Sequence, residues 1–322
     1  MLSTRQVYDY ILTLELPWQD SEKLIQELAW RDYWQQVWIA KGDAIYKDLK
    51  HPQTPISNFQ IPTAIYEANT GITAIDDAIK ELYHTGYMHN HMRMYVASIC
   101  CNVANSHWMA PANWMYAHLL DGDCASNQLS WQWVAGTLSG RKYFANQENI
   151  NRFFNSAQKN TFLDIDYDEF NTIEIPPVLF PNSSFECENY LPNIENPVID
   201  AHQTSLIYNY YNLDPSWHEG ENVQRILLLE PSVFRKHPVK KKCIDFALDL
   251  AQNIPNIKIV VSEFDELEKQ LNTKPVIFKE HPLNKHYKGH VEPREWISSV
   301  TGYYPSFFAF WKKCKKELQR AL

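Results

Sequence analysis

The sequence predicts a mainly α N-terminal half followed by a small α/β C-terminal region with a short parallel sheet. Three observations carry that expectation. Apolar residues recur at helical spacing through about the first 158 positions. The stretch 164–197 turns acidic and proline-rich, with little periodicity. Beyond it, short runs rich in leucine, isoleucine and valine alternate with helical patterns, as in parallel strands joined by crossover helices. The expected division is a helical domain over 1–158, a linker or wrapped loop over 159–197 and an α/β domain over 198–322.

In the first half, Leu24, Leu28 and Val37 mark a helix over 22–41, closed by Gly42. A loop with Pro52, Pro55 and Pro62 follows. Ile72, Ile75, Ile79 and Leu82 mark the next helix, where Thr73 stands three residues before Asp76 in the manner of a capping box. Further helices are expected over 89–103 and 114–133, the second broken near Asp121-Gly122. In the second half, strands are expected over 225–230, 257–261 and 275–278, and helices over 239–253, 263–271 and 305–322. Glycine-rich phosphate loops are missing after these strands, so nucleotide binding is not expected there.

Composition narrows the function. Hydrophobic residues make up 45% and charged residues 21%, a globular balance. No apolar run has the length to cross a bilayer, and the first ten residues lack the basic start and apolar core of a signal peptide, so a cytoplasmic protein is expected, with no membrane partner. Cys100 and Cys101 are adjacent while Cys124, Cys187, Cys243 and Cys314 are scattered, which is neither a zinc pattern nor a disulfide framework; buried free thiols are expected. His281, His286 and His290 lie close in sequence, yet nothing in their spacing completes a metal site, and no metal is expected. The basic clusters Arg235, Lys236, Lys240–Lys242 and Lys312, Lys313, Lys315, Lys316 read as solvated helix faces. A net charge of −8 counts against general duplex binding without excluding a local basic groove. Aromatics reach 14%, with most of the 11 tryptophans before residue 135; this suits a core built around a large planar ligand, and plain packing equally. A monomer is expected.

Three helical stretches carry polar residues on one side. Glu27, Arg31 and Trp34 share a face, with Trp30 beside them; Asn90, Arg93 and Met94 share another; Asp123, Asn127 and Trp131 recur every four residues. Carboxylates and amides are seldom buried without partners. By spacing alone, the last stripe reads equally as a ligand-facing surface and as a solvated face or satisfied polar network.

Four segments resemble the catalytic domain of DNA photolyases and cryptochromes. ELAWRDYW (27–34) is similar to the helix lining the family's substrate cavity. TGITAIDDAIKELYHTGYMHNHMRM (70–94) resembles its longest signature, T-G-x-x-x-V-D-A-A-M-R-x-L-x-x-T-G-W-M-H-N-R-x-R-M. LLDGDCASNQLSWQW (119–133) resembles the flavin-ring segment D-G-D-x-A-x-N-x-x-x-W-Q-W, and RFFNSAQ (152–158) is a looser match to R-x-F-N-P-x-x-Q. They stand in the family's order across residues 2–158. The resemblance implies FAD as cofactor, with Arg93 and Asp121 a buried pair beside the isoalloxazine, Gly122 and Asp123 next to it, Asn127 directed at flavin N5 and Arg31 close by. It implies Trp131 as the relay tryptophan nearest the flavin and Trp108 as the second; the third position corresponds to Pro55, where Phe59 or Tyr66 could serve instead. It implies Trp30 and Trp133 as stacking platforms for a flipped pyrimidine dimer, Glu27 and Asn90 as its hydrogen-bond partners, Met94 as a mark of cyclobutane-dimer enzymes, and His91, Arg152 and Gln158 at DNA-contacting positions.

Two departures bear on the expected activity. His91 stands where the family has arginine, and a mostly neutral histidine grips phosphate less firmly. The matching sequence begins downstream of the Ser/Thr-rich loop that holds the flavin diphosphate, so that loop, the N-terminal antenna domain and an antenna chromophore are not expected; either the chain is a truncated form of a longer gene product, or FAD is bound weakly or not at all. RILLLEPSVFRKHPVKKKCIDFALDLA (225–251) faintly resembles the first strand, turn and helix of an antenna domain. The leading expectation is light-driven, FAD-dependent repair of cyclobutane pyrimidine dimers in damaged DNA. The alternatives are a cryptochrome-like flavoprotein or blue-light sensor without repair activity, and a cofactor-free scaffold for partner proteins.

Overall fold

The computed structural model describes residues 1–188, 190–271 and 275–320. The helices are α1 (Thr4–Thr13), α2 (Trp18–Lys41), α3 (Thr63–Tyr66), α4 (Thr73–Thr85), α5 (Asn90–Ser98), α6 (Met109–His118), α7 (Cys124–Ala135), α8 (Gln147–Phe154), α9 (Pro231–Lys236), α10 (Lys241–Ala251), α11 (Phe264–Glu268) and α12 (Phe307–Leu318). The strands are β1 (Ile61–Pro62), β2 (Asn182–Ser183), β3 (Ser205–Tyr208), β4 (Gln224–Leu229), β5 (Ile257–Val261), β6 (Val276–Lys279) and β7 (His290–Glu292). The chain forms two compact units, one of Asp43–Glu188 and one of Met1–Gly42 with Asn189–Leu322.

In the helical unit, the isoleucines at helical spacing on α4 are fully buried, as the period requires. The start of α4 differs from the expected capping box. Its N-cap is Ile72, and Asp76 reaches back past Thr73 to accept hydrogen bonds from Thr70 N, Thr70 Oγ1 and Gly71 N. The helix ends on Gly86, whose φ of +78° is the left-handed conformation only glycine adopts freely; a Cβ there would also sit 2.6 Å from Leu120 Cγ. α5 runs into a fully buried π turn, Ile99–Val103, that carries Cys100 and Cys101. α6 and α7 are separate helices that break at Asp121-Gly122, as expected, and both α5 and α6 pack on α7.

The segment expected as a linker is part of this unit up to Glu188. Its acidic residues face water, but Leu163, Phe170 and Leu179 are buried in the helical core, and β2 pairs with β1. Composition reports the outer face of a wrapped segment; the few inward apolar residues decide where it belongs.

The second unit holds a five-stranded parallel sheet in the order β5-β4-β3-β6-β7. Every residue of β4 is buried, as expected of a strand covered on both faces. The expected strands appear within a residue or two, while β3 and β7 were not foreseen; β3 is only four residues, too short to show a period, and β7 is largely exposed. The helix expected over 263–271 is confined to the five residues of α11.

Residues 1–42, expected in the helical domain, belong to this unit. α2 buries Asp32, Gln35 and Gln36 beside Tyr33, Trp34, Val37 and Trp38. Those polar groups are satisfied from both ends of the chain. Asp32 accepts from Thr4 Oγ1 at 2.7 Å and Ile297 N at 3.0 Å, Gln36 Oε1 accepts from Gly302 N, and Arg294 bonds Gln35. Burial pushes the Asp32 carboxyl above its ordinary value. His281 stacks on Tyr211, His286 donates to buried Glu230, and His290 lies on β7; among the described residues no cluster has the ligands for a metal ion. Cys187 is half-buried, the other cysteines are buried, and no disulfide joins any of them among the described residues.

Candidate functional site

The stripe on α7 points inward. Asp123, Asn127 and Trp131 are only 4%, 9% and 2% exposed, which removes the solvated-face reading. Asp123 caps the helix, its Oδ1 accepting from Ser126 N at 2.8 Å, and Asn127 Nδ2 donates to Ala112 O at 2.9 Å across to α6. Gly122 enters this turn so tightly that a Cβ would lie 2.9 Å from Leu119 O. From α5, Arg93 Nη2 reaches both oxygens of Asp121, at 3.0 and 2.9 Å, while its Nε donates to Met88 O. This fork fixes the guanidinium plane. The pair was expected to be buried, and here it lies open: the Asp121 side chain is 57% exposed and that of Arg93 22%.

The donor set suits the polar edge of a flat cofactor. Asn127 retains a carbonyl oxygen, and an amide can donate or accept as a ring changes redox state. Two further polar atoms on α7, Ser126 Oγ and Gln128 Oε1, are buried without a hydrogen-bond partner among the described residues. Orphaned polar atoms are costly, but these two point to nearly opposite sides of the helix, so a ligand edge would satisfy at most one of them. Together with the exposed guanidinium fork, the residues present fit a flavin ring.

The remaining expected residues fall as follows. On α5, Asn90 is exposed, His91 and Met94 are half-buried, and Met94 packs on the helical core. His91 lies 4.7 Å from the Phe153 ring and 5.4 Å from His89, and burial with the neighbouring His89 lowers its pKa, so it stays neutral. Arg152 is exposed over Phe153. Gln158, expected to face DNA, spends its amide locally: Oε1 accepts from Thr73 N and Nε2 donates to Gly71 O. Trp133 is 36% exposed beside Tyr143. Glu27, Trp30 and Arg31 are on α2, in the other unit. Desolvation raises the Glu27 carboxyl, and Arg31 is exposed. Trp30 stacks on Phe307 of α12 at 3.6 Å with the rings 10° apart, so one face of that expected platform is covered.

Trp108 is fully buried in the same core cluster as Trp131. Its indole Nε1 donates to Asp48 Oδ1 at 2.7 Å, and its backbone N donates to Gln53 Oε1. Neither Asp48 nor Gln53 was foreseen. Both come from the loop holding Pro55, where no motif marks them.

The family described as the FAD binding domain of DNA photolyase matches residues 24–168. Residues 24–168 thus resemble the FAD-binding domain of the photolyase/cryptochrome family. A deoxyribodipyrimidine photo-lyase of Streptomyces griseus is 38% identical over 118 residues, covering 36% of this chain and 26% of that protein. A cryptochrome DASH of Gloeobacter violaceus is 30% identical over 160 residues, 48% of this chain and 31% of its own length. The chain therefore spans roughly a quarter to a third of these curated relatives. A solved Synechocystis cryptochrome is 26% identical over 48% of this chain and 34% of its own, with a TM-score of 0.44. The segment shared with photolyases begins on α2 and ends past α8, so it includes every site residue named above. Among the described residues no helix is long and apolar enough to cross a membrane.

Proposed function

We propose that this protein binds FAD and performs light-driven repair of cyclobutane pyrimidine dimers in DNA. The observations that carry the reading are the Arg93–Asp121 pair and the inward Asp123, Asn127, Trp131 face of α7, on which α5 packs. Bound FAD would supply the light-absorbing, one-electron redox chemistry.

The chain's own residues set the conditions for that chemistry. Arg93, held in plane by Asp121 and Met88 O, stabilises negative charge at the ring edge. Asn127, braced by Ala112 O, would hold its amide for the ring's polar edge, where it could donate or accept. Trp133 offers an exposed aromatic face to an extruded base, and base–aromatic stacking is worth about 1–3 kcal/mol. Asn90 and Met94 stand one helical turn apart on α5 to meet the base edge and its apolar ring.

The test uses the whole chain equilibrated with FAD and an oligonucleotide carrying a single thymine dimer. Dimers should disappear under blue light and persist in the dark. Binding without any light-dependent loss, in a flavin-loaded sample, contradicts the proposal.

A further inference from the structure

We propose that Asp48 takes the indole proton of Trp108 when that tryptophan is oxidised, which makes Trp108 the terminal electron donor of this chain. The inference rests on the flavin-binding reading above. It arises from the loop where the family resemblance places a third relay tryptophan and this sequence has Pro55.

Trp108 is fully buried, yet its Nε1–H has a carboxylate acceptor at 2.7 Å. Asp48 is kept in place on both oxygens. Its Oδ2 accepts from Gln53 N at 2.8 Å, and His107 Nε2 lies 3.4 Å from Oδ1. His107 Nδ1 accepts from Met109 N, which leaves the ring proton on Nε2, facing Asp48. His107 therefore steadies the carboxylate and does not compete for the proton. Gln53, only 2% exposed, is itself fixed by Ser106 O and by Trp108 N, so the loop and the indole cannot drift apart independently.

The rings beyond Trp108 do not extend the relay. His107 lies 5.6 Å from Trp108, and Phe59 stacks on His107 at 5.2 Å and reaches the surface. Neither imidazole nor benzene gives up an electron as readily as indole, so the hole stops at Trp108.

The step balances. Bound FAD, when photoexcited, would supply the one-electron oxidant; Trp131 would give up one electron and Trp108 would restore it, becoming a radical cation. The Trp108 radical cation is a far stronger acid than neutral indole. Its Nε1–H bond breaks, an O–H bond forms on Asp48 Oδ1, and total charge is unchanged. A neutral indolyl radical and a neutral carboxylic acid remain. Back-transfer of the electron then needs the proton to return with it, which slows recombination.

Two measurements test this. In the FAD-loaded protein, transient absorption after a blue pulse should show the neutral tryptophan radical, with decay slowed in D2O. Asp48→Asn keeps a hydrogen-bond acceptor but removes the base; it should leave the cation-radical spectrum, abolish the isotope effect and shorten the lifetime by about tenfold, the effect of one pKa unit of proton-transfer driving force. His107→Gln should retain the neutral radical. In the flavin-free protein, one indole N–H resonance, absent in Trp108→Phe, should move upfield in Asp48→Asn with all others unchanged. A neutral radical in Asp48→Asn, a cation radical in the wild type, or an unmoved indole resonance overturns the proposal. Failure to bind flavin defeats the functional reading instead, and the indole measurement still decides whether Asp48 holds that proton.

Discussion

Replacing Asp76 by alanine should destabilise the helical unit far more than any single ion pair on its surface. The Asp76 residue is 8% exposed, and it accepts from Thr70 N at 2.8 Å, Thr70 Oγ1 at 2.7 Å and Gly71 N at 3.2 Å. Hydrogen bonds to a charged group contribute about 1.5–3 kcal/mol each, and donors left buried without partners add their desolvation cost. Thr70 is itself 3% exposed, so water cannot easily replace the carboxylate at its N–H. Two strong bonds and one long one give an expected loss of about 3–5 kcal/mol after partial relaxation. Asp77→Ala is the control, because that neighbouring side chain is 68% exposed and should change stability by less than about 0.5 kcal/mol. Since the two units need not unfold together, the readout is urea-dependent hydrogen exchange at the amides of α4, with tryptophan fluorescence alongside. A loss below about 1 kcal/mol for Asp76→Ala, or equal losses for both variants, would refute the view that this threonine–aspartate pairing builds the turn.

Three other outcomes are expected. Arg93→Ala should cost little stability, about 0–1 kcal/mol for so open a pair, yet weaken FAD binding by roughly tenfold or more in a fluorescence titration. Gly122→Ala should destabilise by about 1–3 kcal/mol in thermal melts, because its Cβ would press on Leu119 O at 2.9 Å and the neighbour is backbone. In the α/β unit, burial alone would lower the His218 pKa, but hydrogen bonds to Glu292 and Glu221 outweigh it and raise the pKa. Its stabilising contribution is therefore complete below about pH 6.5, the unfolded value, and fades as pH rises through the higher folded value. Glu292 has the opposite sign: burial raises it, the Trp217 and His218 donors lower it further, and its contribution fades as pH falls below the unfolded carboxylate range. His218→Gln should flatten the neutral-to-alkaline part of the stability profile measured by urea titration.

Much of the helical unit was legible because its signals are local. The isoleucine period on α4 and the break at Asp121-Gly122 both come from neighbours in sequence. The Asp123, Asn127, Trp131 stripe was visible as a spacing, but only burial could tell an inward face from a wet one. What was hidden depends on distant partners. Asp32 and Gln36 on α2 look like surface residues until Ile297 N and Gly302 N are known to approach them, and so residues 1–42 were expected with the wrong unit. Asp48 sits in an unremarkable loop and gains meaning only from the indole of Trp108, 60 positions away. Trp30 shows the reverse: its motif implies an open stacking face, and Phe307, far along the chain, covers one side of it.

The central claim is that Arg93, Asp121, Asp123 and Asn127 form one side of a flavin site. Its most direct test is the absorption spectrum of the full chain after equilibration with FAD and gel filtration. A yellow protein with about one flavin per chain, and loss of that flavin in the paired variant Arg93→Ala/Asn127→Ala, is the predicted result. A colourless wild-type protein, or an equally yellow double variant that remains folded, would contradict it.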